Sequence, residues 1–127
     1  MNLMQEQVAM WMAKFGQKGP DSLSIPDEKT KMLRQRLIQE ESAELFAAID
    51  GNDLVGIADG IADLLYVVFG TATAYGIDAQ KVFDEVHRSN MTKLWPDGKP
   101  HRDAHGKVIK PNTYSPPDLA PILETMK

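Results

Sequence analysis

Apolar residues recur along the first three-quarters of this chain at the three- and four-residue spacing of amphipathic helices. Leu3 or Met4, Val8, Trp11, Met12 and Phe15 predict a first helix ending at Gly16. Gly16 to Pro26 reads as a Gly/Pro/Ser loop. A second helix opens near Pro26-Asp27-Glu28, with acids in its first turn where the helix dipole favours them, and runs to Ile49. Asp50-Gly51-Asn52-Asp53 is a compact turn with Asn52 or Asp53 as the next N-cap. A third helix extends from Leu54 to about Tyr75 and stops at Gly76; Asp78 then caps a fourth, Ala79 to about Asn90. Beyond Leu94 the helical period is lost. Pro96-Asp97-Gly98 and His105-Gly106 are turn signals that suit a small hairpin, and Lys110-Pro111-Asn112 and Pro116-Pro117 force an extended tail. The expectation is one all-α domain over residues 1–127. It is a four-helix bundle with a helical core at about 2–92 and an irregular C-terminal arm at about 93–127.

Two of these helices carry acids where apolar residues belong. Glu41 has Leu37, Ile38, Glu44 and Leu45 as its neighbours three and four positions away, so it interrupts an apolar stripe. Asp63 is flanked by Asp59, Gly60, Tyr66 and Val67. Glu41 and Glu44, Glu40 and Glu44, and Asp59 and Asp63 each project from one face of a helix. The short turn at Gly51 makes the two helices antiparallel neighbours, with Glu44 level with Asp59 and Glu41 near Asp63. Bare carboxylates about 4 Å apart repel by roughly 4 kcal/mol at an effective dielectric near 20. No Lys or Arg lies between Arg36 and Lys81 to offset this, so the neutraliser expected is a metal ion. All-oxygen ligation suits Mg²⁺ or Mn²⁺. A Glu-Glu-x-x-Glu run alone is commonly a solvated helix face, and only its pairing with the second acidic helix supports the metal reading. A di-iron bundle would need Glu-x-x-His, and no His precedes His87.

Charge and composition narrow the partners. A net charge of -4 argues against nucleic acid, and the absence of Cys removes disulfides, thiolate zinc sites and cysteine nucleophiles. With no signal-peptide pattern visible, a cytoplasmic setting is expected (host cytoplasm for a phage protein). Leu54 to Ile77 nearly reaches membrane-spanning length, but Asp59 and Asp63 near its middle make that reading expensive, and a buried central helix is expected instead. So apolar a helix in so short a bundle also predicts a homo-oligomer, dimer or tetramer, with the Pro-rich tail as an arm across its neighbour. Downstream lie Arg88, Asn90, Lys93, Lys99, Arg102, Lys107 and Lys110. Acidic metal-binding helices followed by a basic segment suit a substrate that brings its own phosphates. Lys99, Arg102 and Lys107 read as plain solubilising surface, and the three His have no metal-ligand spacing.

These residues resemble the all-α nucleoside triphosphate pyrophosphohydrolases, the superfamily of MazG-like proteins, dimeric dUTPases and phosphoribosyl-ATP pyrophosphohydrolase. Glu40, Glu41 and Glu44 match its Glu-Glu-x-x-Glu, and Asp63 before Leu64-Leu65-Tyr66 matches the Asp of its second motif. Ser89-Asn90-Met91-Thr92-Lys93-Leu94 supplies the downstream Asn and Lys. The likeness spans roughly residues 8 to 118 and is closest to short phage and bacterial MazG-like forms. One departure stands at Gly60, where the family usually has Glu; Asp59 is the candidate replacement. The resemblance implies hydrolysis of a nucleoside triphosphate to the monophosphate and pyrophosphate, on two or more Mg²⁺ or Mn²⁺ ions. Glu41, Glu44, Asp59 and Asp63 would hold the metals. Glu41 and Glu40 would be the catalytic residues, Glu40 either orienting and deprotonating the attacking water or adding a ligand. Asn90, Lys93 and Arg88 would contact phosphate or sugar, and Trp11, Phe15 and Tyr66 the nucleoside. Helical aromatics are also ordinary core residues. A deoxynucleotide, dGTP in particular, is the expected substrate, with Gln7, Lys14 and Gln17 as candidates for reading a purine edge. The alternatives are dUTP or dCTP, a broad house-cleaning range, or a non-catalytic module that senses nucleotides.

Overall fold

A side chain fixes the start of each of the first three helices by taking up a backbone N–H that the helix leaves unpaired. Asn2 accepts from Gln5 at the head of α1 (Leu3–Lys14), Asp27 from Thr30 at α2 (Glu28–Asp50), and Asp53 from Gly56 at α3 (Leu54–Ala74). Asp53, not Asn52, is therefore the third cap. Asn52 takes a left-handed φ of 51° in the turn before it. Gly16 and Gly76 follow α1 and α3 with φ of 75° and 70°, the conformation that ends a helix with least strain in glycine. The computed structural model describes all 127 residues and falls into two compact units, Met1–Ala79 with Met126–Lys127 and Gln80–Thr125.

In the first unit α2 and α3 run antiparallel at close range. A Cβ on Gly56 would lie 3.2 Å from the Ala48 Cβ, one on Gly60 3.1 Å from the Leu45 Cα, and one on Gly70 2.7 Å from Arg34 Nη1. Each step toward the C-terminus of α3 thus matches, to within one residue, a step toward the N-terminus of α2, and this register sets Glu41 level with Asp63. α1 packs on α3 through Val8 and Met12, which are buried with Ala74 against Phe69 and Tyr75. Gln5, 1% exposed, ties the same helix to the end of α3. Its Nε2 donates to the Ile77 carbonyl at 2.7 Å, and its Oε1 accepts from the Ala79 N–H at 2.9 Å. Gln5→Ala would leave both groups unpaired. Each buried unsatisfied group costs about 1–3 kcal/mol, so a clear fall in denaturation midpoint is expected, and an unchanged midpoint would show that water replaces the amide.

Two expectations are corrected here. Leu3, Met4, Trp11 and Phe15 are exposed, so the apolar stripe of α1 narrows to Val8 and Met12. α3 is not a buried central helix either. It is long and apolar enough to cross a membrane by length and composition, yet only 11% of its apolar window is buried within the chain. Its contacts run through Gly60, Gly70 and Ala74, while Leu54, Val55, Ile61, Leu65 and Val68 stand exposed. Two neighbouring helices cannot surround a third.

The second unit contains nearly all of α4 (Ala79–Met91), an antiparallel pair of two-residue strands β1 (His101–Arg102) and β2 (Val108–Ile109), and α5 (Ala120–Glu124). The hairpin forms around the expected His105-Gly106 turn. Trp95 stacks on His101 with centroids 4.2 Å apart, and its indole donates to the Ile109 carbonyl at 2.9 Å. The buried Ser89 hydroxyl donates to the Ser115 carbonyl at 2.7 Å, which secures the Pro-rich tail to α4. That tail is not extended throughout, because Pro121 falls in the first turn of α5, where a missing N–H does no harm.

Candidate functional site

Helical spacing aims Glu41 and Glu44 from one face of α2, and the register brings Asp63 to meet them. One carboxylate oxygen from each of the three lies within 4.8 Å of the other two. Glu41 and Asp63 are half-buried, and Glu44 is exposed. No ion pair joins any of them to a Lys or Arg. Oε2 of Glu41 is buried without a hydrogen-bond partner. Burial pushes the Glu41 carboxyl above the usual carboxylate range. Repulsion from Glu44 and Asp63, a hydrogen bond with Glu44 and the charge of Glu40 push it further.

An orphaned buried oxygen among converging carboxylates, with no nitrogen or sulfur donor beside it, fits a hard divalent cation of the Mg²⁺ or Mn²⁺ type. Glu40 and Asp59 are exposed and lie outside the converging group. Gly60 is buried where α3 crosses Leu45, so the position three before Asp63 is a packing point in this chain.

Beside Asp63 opens a cleft of about 440 Å³ walled by Trp11, Leu37, Tyr66 and Val67, with Arg34 and Gly70 two turns further along α2 and α3. Trp11 is 40% exposed, its face stacks on Phe15 at 4.4 Å, and Tyr66 meets it edge-on at 6.2 Å. Trp11 and Tyr66 thus line the cleft, while Phe15 backs Trp11 from outside. Of the polar candidates on the first helix and its loop, Gln17 lines the cleft, and Gln7 and Lys14 do not. A wider pocket of about 820 Å³ adjoins it, sharing Met12, Gln17, Leu33 and Arg34, and adding the cations Lys18, Lys29 and Arg36.

Sequence reasoning passed over Arg34. Arg34 sits seven residues before Glu41 on the same face of α2, but its burial depends on Gly70 across the helix pair, which no local pattern reveals. Asn90, Lys93 and Arg88 belong to the second unit. Asn90 is exposed near the end of α4, and Lys93 is half-buried beyond it. Arg88 pairs with Glu85 and donates to Ser115 Oγ at 3.2 Å and to the Pro116 carbonyl at 3.3 Å, so its guanidinium is committed to the tail.

Comparison with known proteins points the same way. The profile of the phosphoribosyl-ATP pyrophosphohydrolase family matches residues 11–90, which include every carboxylate named above. A curated relative, the uncharacterized protein L479 of Acanthamoeba polyphaga mimivirus, is 44% identical over 50 residues. That alignment takes in 39% of this chain and 20% of the viral protein, so the shared segment is a small part of the larger molecule.

Proposed function

Because the chain belongs to the phosphoribosyl-ATP pyrophosphohydrolase family, within the all-α MazG-like superfamily, we propose that it hydrolyses a nucleoside triphosphate, a deoxynucleotide in particular, to the monophosphate and pyrophosphate. One observation carries the reading. The oxygens of Glu41, Glu44 and Asp63 converge within 4.8 Å, around a buried Glu41 oxygen that nothing in the chain pairs, at the side of an aromatic-walled cleft.

Glu41, Glu44 and Asp63 would hold Mg²⁺ or Mn²⁺, two or more ions, with Asp59 as the nearest further carboxylate on α3. Bound there, the cations would offset charge on the phosphates and on the departing pyrophosphate. Trp11 and Tyr66 hold the nucleoside, and the apolar wall excludes water from that side. Water attacks the α-phosphorus, the bond from that phosphorus to the bridging oxygen breaks, and pyrophosphate leaves. Glu40, exposed and outside the converging group, would either take the proton from that water or add a ligand. Asn90 and Lys93 are the proposed phosphate or sugar contacts.

A panel of the eight common NTPs and dNTPs with Mg²⁺ or Mn²⁺ tests this. Pyrophosphate and monophosphate should appear, and chelation of the divalent ion should abolish both. Orthophosphate and diphosphate would show that a different bond is cut. Binding without turnover would make this a nucleotide-sensing module.

A homo-oligomer, dimer or tetramer, is part of the same proposal. Leu54 and Val55 are 80% and 82% exposed at the head of an apolar helix. A second copy would take that face out of water, at about 25 cal/mol per Å² of apolar surface. Light scattering at micromolar concentration should give at least twice the 14.1 kDa chain mass. A monomer under those conditions would defeat it.

A further inference from the structure

Arg34 is a buried cation with no counterpart. It is 7% exposed, its Nε is buried with no hydrogen-bond partner, and no carboxylate forms an ion pair with it. The guanidinium lies over Gly70, where a Cβ would come within 2.7 Å of Nη1, 3.3 Å of Cζ and 3.4 Å of Nη2. The missing side chain at Gly70 is what makes room for it. Arginine keeps its charge in proteins, and a buried charge without a partner is strongly unfavourable unless a ligand supplies acceptors. Arg34 lines the cleft that also reaches Asp63.

Position decides which acceptors those are. Arg34 precedes Glu41 by seven residues, and Gly70 follows Asp63 by seven, so the guanidinium sits on the carboxylate face about 10 Å further along the helix axes. Between the two ends the wall is Trp11, Leu37, Tyr66 and Val67. Such a slot suits a planar ring and does not suit a phosphate. With phosphates at the carboxylate end, what reaches Arg34 is the edge of the base.

We propose that Arg34, seated on Gly70, selects the base by donating to the keto edge of a purine, N7 and O6 of guanine. The inference rests on the nucleotide reading given above. A guanidinium fork matches that pair of acceptors, whereas adenine turns an amino donor toward it, and donor faces donor. Guanine and hypoxanthine are accepted, and adenine is rejected. Uracil and thymine present O4 alone on the corresponding edge and bind between the two.

Calorimetric titration of the whole protein with nucleoside monophosphates reads this without turnover. dGMP should bind about 10- to 100-fold more tightly than dAMP, the range expected of one bidentate contact. dIMP, which keeps N7 and O6, should match dGMP; 7-deaza-dGMP, which lacks N7, should be weaker. Arg34→Lys keeps the charge and loses the fork, so dGMP should fall to the level of dAMP while dAMP changes little. Gly70→Ala displaces the guanidinium, leaves it present, and should narrow the same ratio. Equal affinity of the native protein for dGMP and dAMP overturns the proposal. So does an equal loss for every base in Arg34→Lys, which would assign Arg34 to phosphate. The ligand series on the native protein tests the proposal even where a variant fails to fold. Turnover without base preference removes this inference and spares the proposed reaction; base-selective binding without pyrophosphate release does the reverse.

Discussion

Glu41→Gln should sharply lower pyrophosphate release and, in metal-free buffer, make the protein more stable than the native chain. The loss of rate follows from the place of Glu41 at the centre of the converging group, where Glu44 and Asp63 both face it. Removing one preorganised group that handles developing charge lowers kcat by roughly 10²- to 10³-fold. The gain in stability comes from the same crowding. Carboxylate charges within 4.8 Å of one another repel by at least roughly 3 kcal/mol at an effective dielectric of 20. Gln removes Glu41 from that repulsion and leaves its shape in place.

The pH dependence has a definite sign. The folded-state value of Glu41 lies above the 4.5 of a free glutamate, so between those two values the folded protein binds more protons than the unfolded chain. Stability therefore declines as pH rises through that window. The advantage of Glu41→Gln should be full above the raised folded-state value and vanish as pH falls toward 4.5. Thermal melts with and without chelator check this, because added Mg²⁺ or Mn²⁺ should raise the native midpoint and leave the variant unmoved. A variant less stable than the native protein at neutral pH would mean that Glu41 makes a structural contact. Asp63→Asn should behave alike in turnover.

Most of the site was legible because its carriers are local. Glu41 and Glu44 share a helix face by spacing alone, and the short turn at Gly51 fixed α2 and α3 as antiparallel, so that Asp63 fell level with Glu41. Helix limits were legible for the same reason, since Asp27, Asp53, Gly16 and Gly76 act on residues within a turn of themselves. Periodicity failed where burial depends on how many neighbours a helix finds. Trp11 and Phe15 repeat at core spacing, yet of its apolar residues α1 buries only Val8 and Met12, and Trp11 is left to wall a cleft with Phe15 stacked behind it. α3 reads as the most buried segment and is largely exposed in the single chain. Arg34 escaped notice because its burial depends on Gly70, a residue 36 positions away on another helix that offers space by having no side chain.

Gly60→Glu, which places an acid three residues before Asp63, should damage the site that it would nominally complete. Gly60 is buried, and a Cβ there would stand 3.1 Å from both the Cα and Cδ1 of Leu45 and 3.2 Å from its Cβ. Those contacts are tight for a single methyl group, and one of them is backbone, which cannot swing aside. Ala gains roughly 1 kcal/mol of helix propensity over Gly, which offsets part of so small an overlap, so Gly60→Ala should be close to neutral. Glu adds four more heavy atoms and a charge at the same crossing. Overpacking of this kind costs about 1–3 kcal/mol, and relief requires α2 and α3 to separate. Since Asp63 lies one turn beyond Gly60, that separation should draw Asp63 away from Glu41 and Glu44 and weaken metal binding along with stability. Paired melts and Mn²⁺ titrations of Gly60→Ala and Gly60→Glu distinguish the two accounts. A Gly60→Glu protein that melts with the native chain and binds Mn²⁺ more tightly would make Gly60 a vacated ligand position, with the helix contact at Leu45 incidental to it.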